Sequence, residues 1–169
     1  MSSKMRGPVL GYVGGAAALG FAFAMPVWAH HSFAHYDSDA TQVFTGVVTR
    51  VNPDANHLQI FFAPMNDERK NVERGADGKP VIWAVDMAGS AASAQDGISV
   101  STFPPGTVFS IGLHPQRNGD PAGFREGPLF KCPTGANSKP VPPAAGKHCD
   151  SVDGNTRMGA GNLPAPTKK

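Results

Sequence analysis

Apolar residues fall along this chain as one long uncharged block near the start, followed by five short runs separated by turn-forming residues. Runs of that length, rich in β-branched and aromatic residues, predict strands rather than helices. The first covers Thr41 to Val51, with Gly46 in the middle where a small closed sheet needs a bend or bulge. Asn52-Pro53-Asp54-Ala55-Asn56 is turn chemistry, and His57 to Ala63 is the second strand, so the two form a hairpin. A polar connection from Pro64 to Lys79 leads to a third strand, Val81 to Met87, with Trp83 its largest apolar residue. Residues 88–102 are weakly patterned and allow a short helix. Pro104-Pro105-Gly106 launches a fourth strand, Thr107 to His114. Pro115 to Gly123 reads as a turn region, and Gly127 to Cys132 as a fifth strand. Phe61, Phe62, Trp83, Phe103 and Phe109 are the expected core fillers, although the period of two turns either Phe61 or Phe62 outward.

Five short strands with a weak helix between the third and fourth predict an all-β fold, a small five-stranded antiparallel OB-like barrel. An open sandwich is the alternative. The expected division is a signal peptide at 1–29, a His-rich segment at 30–40, the barrel at 41–132, a disulfide-closed Pro-rich loop at 133–153 and a disordered tail at 154–169. The tail reading follows from its Pro, Gly, Ala and Lys content.

The leading block has the layout of an export signal. Lys4 and Arg6 precede an uncharged stretch from Val9 to Met25, Pro26 breaks it, and Val27-Trp28-Ala29 offers small residues for cleavage. Cleavage after Ala24 and a retained membrane anchor are the alternatives. A cut after Ala29 gives a periplasmic or secreted chain that starts at His30 and keeps no membrane span. Of the 15 basic residues, two, Lys4 and Arg6, fall in this leader, which leaves 13 against 13 acidic ones. Nucleic-acid binding needs clustered cations. The densest pair, Arg69-Lys70, is offset by Asp67, Glu68 and Glu73, so nucleic acid is excluded as a partner.

Export also bears on the two cysteines, Cys132 and Cys149, which are expected to pair in an oxidising compartment. Such a bridge contributes about 3 kcal/mol in the chain-entropy model and would order a loop too rich in Pro and Gly to order itself. A metal pair using His148 is the rival, but the spacing of a zinc knuckle is missing.

Histidines supply the candidate chemistry. His30, His31 and His35 crowd the expected mature terminus, and a chain starting at His30 offers both an α-amine and an imidazole. A second imidazole, best supplied by His57, would complete a three-nitrogen set suited to Cu(II). Copper is therefore the expected cofactor if a metal binds, and its affinity should fall as the pH drops through about 6.5. Each histidine taken singly also has a structural reading, as a turn, surface or strand-end hydrogen bonder, and this applies to His114 as well. Catalysis is not expected. A Gly-x-Ser-x-Gly elbow, a Gly-rich phosphate loop and a haem attachment motif are all missing from the sequence. Ser90 and Ser93 have no histidine tied to them, and Asp86 reads as a lone strand-end hydrogen bonder. What remains is a binding protein of unknown ligand, or an accessory subunit with an envelope partner.

Several phrases together carry a resemblance: Ala29-His30-His31-Ser32-Phe33, Phe44 to Val51, Asn52-Pro53, Ile82-Trp83, Pro105-Gly106-Thr107-Val108, and His114-Pro115 leading to Asn118-Gly119. They are similar to an uncharacterised exported bacterial domain family whose members begin, after the signal peptide, with Ala-His-His-Ser-Phe. The family's first turn places His directly after Asn-Pro. Here Asp54 stands there and His57 follows three residues on. The resemblance implies a fold and a location but no activity.

Overall fold

The computed structural model describes residues 33–53 and 57–167. The expected leader, His30, His31 and the tip of the first turn lie outside the described residues. Strand β1 spans Gln42–Pro53, β2 Leu58–Pro64 and β3 Trp83–Asp86. A six-residue helix α1, Ser90–Gln95, precedes β4, Val108–Pro115, and β5, Ala122–Lys131. A short β6, Thr156–Met158, pairs on the outer edge of β5.

The order β3-β2-β1-β4-β5, with β3 also paired to β5, closes a five-stranded barrel of OB type. The closing pair β3–β5 is parallel, with Ala84 opposite Ala122 and Asp86 opposite Phe124. That differs from a purely antiparallel barrel, and α1 supplies part of the crossover that such a closure needs.

β1 serves two neighbours: its first half pairs with β4 and its second half with β2. Two local features let it bend between them. The β1–β2 register shifts between Val48 and Arg50, a bulge. At Gly46 a Cβ would collide with the Phe62 ring and press on the Ala63 carbonyl, so only glycine lets the strands close at this point.

Inside, Ile60, Phe62, Val85, Phe109, Ile111, Leu113 and Leu129 are fully buried, and Ile98 and Phe103 from the α1–β4 connection cap them. The Phe62, Phe103 and Phe109 rings meet edge to face at 5.4–5.6 Å, and Phe44 lies 4.6 Å from Trp83. Phe62 takes the interior. Phe61 therefore faces out, half-buried, with the Arg50 guanidinium 4.0 Å over its ring. That removes Phe61 from the expected core.

Two further expectations are corrected. β5 begins at Ala122, inside the stretch read as a turn, because Gly123 fits where a side chain would strike Leu113 and the His114 carbonyl. The tail read as disordered is held in place as far as Thr167. After β6, Gly159 and Gly161 take positive φ values of 89° and 98° and turn the chain back along the barrel. Pro164 lies against Gly112, and Thr167 exchanges hydrogen bonds with the Thr41 backbone at 2.8 and 3.0 Å. Its glycines and prolines build turns here rather than freedom.

Cys132 and Cys149 form a disulfide with Cα atoms 4.9 Å apart. Around it lies a second, smaller apolar cluster of Met65, Val108 and Phe130. No helix among the described residues is long and apolar enough to cross a membrane.

Candidate functional site

The inward turn of Leu58, Ile60 and Phe62 sends Gln59 and Phe61 to the outer face of β2. Gln59 stands opposite Asn52 on β1 and Asp86 on β3, so one polar row crosses three strands. Gln59 Nε2 donates to Asp86 Oδ1 at 2.6 Å, and Asn52 Nδ2 reaches Gln59 Oε1 at 3.5 Å.

The row ends under the N-terminal segment. Tyr36 donates its hydroxyl to Asp86 Oδ2 at 2.5 Å, and its ring packs 5.8 Å from Phe124. Burial, and then the neighbouring Asp86 carboxylate, hold the Tyr36 phenol above its ordinary pKa. Around it the segment is tied to the β4–β5 turn. The Asp37 amide donates to Pro115 O at 2.8 Å, and the Arg117 amide donates to His35 O at 2.9 Å. Arg117 also pairs with the Asp37 carboxylate at 3.7 Å. Asp86 is thus the strand-end hydrogen bonder that the sequence suggested, with two donors.

Of the expected ligands, His30 and His31 lie outside the described residues. His35 ends a 3-10 turn, Phe33–His35, and its side chain is exposed. His57 opens the outer row of β2, with Nδ1 3.3 Å from the Met87 carbonyl. A carbonyl only accepts, so Nδ1 of the neutral ring carries the proton and Nε2 the lone pair. His114 bonds through Nδ1 to Ala40 O at 2.9 Å, and its Nε2 is 3.8 Å from Glu126 Oε2. Among the described residues no three His, Cys, Asp or Glu side chains come close enough to hold a metal ion. His35 and His57 are therefore not gathered into a complete set by the described residues themselves.

A second cluster, which sequence reading missed, lies beside the disulfide. Thr45 and Ser110 face each other across β1 and β4, with hydroxyl oxygens 2.7 Å apart and both side chains buried. His148 Nδ1 is 2.9 Å from Thr45 Oγ1, and the Cys149 amide donates to Ser110 Oγ at 2.8 Å. Desolvation lowers the His148 pKa, and the Arg69 charge adds to that.

Arg69 itself is buried, within the polar connection from Pro64 to Lys79. Its guanidinium donates to the carbonyls of Met65, Asn66 and Lys147 at 2.9–3.1 Å. The one signal in the sequence was that His148 adjoins Cys149. Neither Arg69 nor the facing hydroxyls carry a motif.

No curated protein and no solved structure matches this chain. A family model does match, over residues 20–125, which takes in the N-terminal histidines, the Tyr36–Asp86 contact and β1 to the start of β5. The chain belongs to that family, DUF6152, a family of unknown function.

Proposed function

We propose that the protein is exported, trimmed to begin at His30, and acts as a non-catalytic binding protein that takes Cu(II) at its N-terminal histidines. The observation that carries this reading is the docking of Tyr36 on Asp86. Asp86 is the cross-strand partner of Gln59, and His57 lies two residues before Gln59 on the same outer face of β2. The N-terminal segment is thereby tied down one strand away from His57. In this reading the α-amine and imidazole of His30 and the imidazole of His57 supply the three nitrogens that Cu(II) favours. His31 and His35 are the alternative nitrogens.

The absence of catalysis is inferred from access. The Thr45–His148 pair has the elements of a nucleophile and a base. Its hydroxyls, however, are sealed inside the barrel wall, with Thr45 1% and Ser110 0% exposed, so no substrate carbonyl reaches them.

A titration of the oxidised chain beginning at His30 with Cu(II) tests the reading. Binding at or below micromolar metal is expected. Loss of most of that affinity is expected on adding one residue before His30, and a smaller loss with His57→Ala. A chain that binds no copper, or binds equally well with the extra residue, refutes it. It would then favour a metal-free accessory subunit of an envelope complex.

A further inference from the structure

His148 sits where β1, β4 and the connection between β2 and β3 meet the disulfide-closed segment. Its hydrogen-bond chain has a direction. With a neutral ring whose Nδ1 accepts, Ser110 donates to Thr45 and Thr45 donates to His148, while the Cys149 amide donates to Ser110. Both hydroxyl protons and the Cys149 amide proton then have an acceptor. A protonated ring must instead donate from Nδ1. Thr45 would have to turn its proton toward Ser110, and the fully buried Ser110 would lose the acceptor for its own.

The surroundings point the same way. β1 and β4 bring the uncharged hydroxyls of Thr45 and Ser110. The β2–β3 connection brings the Arg69 cation, which opposes a charged imidazole, and the turn at Cys149–Ser151 brings Asp150, which favours one. Burial and Arg69 outweigh Asp150 in this balance.

The same connection is fastened to the stapled segment through Arg69 Nε to Lys147 O and through the Gly146 amide to Asp67 O, both at 2.9 Å. A charge placed on His148 therefore works against several contacts at once. The disulfide meanwhile keeps the two ends of the segment joined.

We propose that this hydroxyl chain is an acid-release latch: when His148 takes a proton, residues 133–148 let go of β1 and the β2–β3 connection while remaining closed by Cys132–Cys149. Release gives solvent access to the apolar group of Met65, Val108 and Phe130 around the bridge. The barrel interior is untouched. The latch uses none of the residues invoked for copper, so the two readings stand or fall separately.

The test is backbone hydrogen exchange with NMR titration of the histidine rings, on the metal-free oxidised protein between about pH 7.5 and about pH 5. After correction for intrinsic exchange, the amides of Cys149 and of residues 134–147 should lose protection about tenfold, while those of the β1–β4 ladder do not. His148→Asn keeps an acceptor near the Nδ1 position and cannot take the proton, so it should abolish the acid-dependent loss. The same loss in this variant, or no loss in the natural protein, overturns the proposal. Should the variant not fold, the natural protein decides alone. A Cys149 amide resonance that follows the His148 ring titration supports the latch, and one that stays fixed while the ring titrates overturns it.

Discussion

The two apolar clusters of this protein are built in different ways. The barrel interior is large, and five strands and the connection between α1 and β4 contribute to it. Phe62, Phe103, Phe109, Ile60 and Leu113 fill it without a buried charge. The cluster beside the disulfide is small, with Met65, Val108 and Phe130 as its main side chains. It is completed by a covalent bond, a buried guanidinium on three carbonyls, and a chain of hydroxyls ending on His148. Apolar volume suffices where alternating strands can enclose it. Where a Pro-rich segment must be held against the barrel wall, specific polar and covalent links replace that volume. Such links respond to pH and redox state, whereas a greasy interior does not.

The sharpest way to separate the clusters is to remove one ring from the first. Phe109→Ala should cost about 3–5 kcal/mol in denaturant unfolding, a large part of the stability of a domain this size. A cost under about 1 kcal/mol would mean that the interior repacks and is not the dominant cluster.

Removing the bridge with a Cys132→Ala, Cys149→Ala double variant should cost about 3 kcal/mol in the same assay. The ring resonances of Phe62 and Phe109 should stay in place. If they shift, the two clusters fold as one unit. Gly46→Ala forces a methyl against Phe62 and should cost about 1–3 kcal/mol, read as a lowered unfolding midpoint.

On the outer face, Tyr36→Phe deletes one of the two donors to Asp86 and should cost about 1 kcal/mol. Exchange should rise at the amides of Asp37 and Arg117, which tie the segment down.

The smallest effect expected is on the pH profile of stability. His148 has a lowered pKa when folded, so the unfolded chain takes its proton first. This contribution is intact above the ordinary histidine range. It declines as the pH falls through about 6.5 and stops declining once the folded ring is also protonated. His148→Asn should flatten that part of the curve, while Phe109→Ala should leave its shape alone.

Much of the barrel was legible because burial on one face leaves a period of two in the sequence, and Leu58, Ile60 and Phe62 show it plainly. The stapled cysteines were legible by count alone. β5 was only half visible. Its first half, Ala122 to Glu126, is paired on both sides by β3 and β4 yet looks like a loop, because its fit rests on Gly123. The tail misled for a related reason, since composition reports how free a segment is to turn, not whether something waits for it to turn against.

By itself, then, the chain determined its strands, the presence of a closed barrel, the cysteine pair and the gathering of histidines at one terminus, because periodicity and local composition encode these within a few residues. Only the tertiary structure decided that Phe61 faces out, that Tyr36 lands on Asp86, that Arg69 is buried, and that Thr45, Ser110 and His148 form one chain. These contacts join residues 39 to 103 positions apart or depend on which face a strand presents. Nothing in the neighbourhood of such a residue along the sequence records what closure of the sheet will set against it.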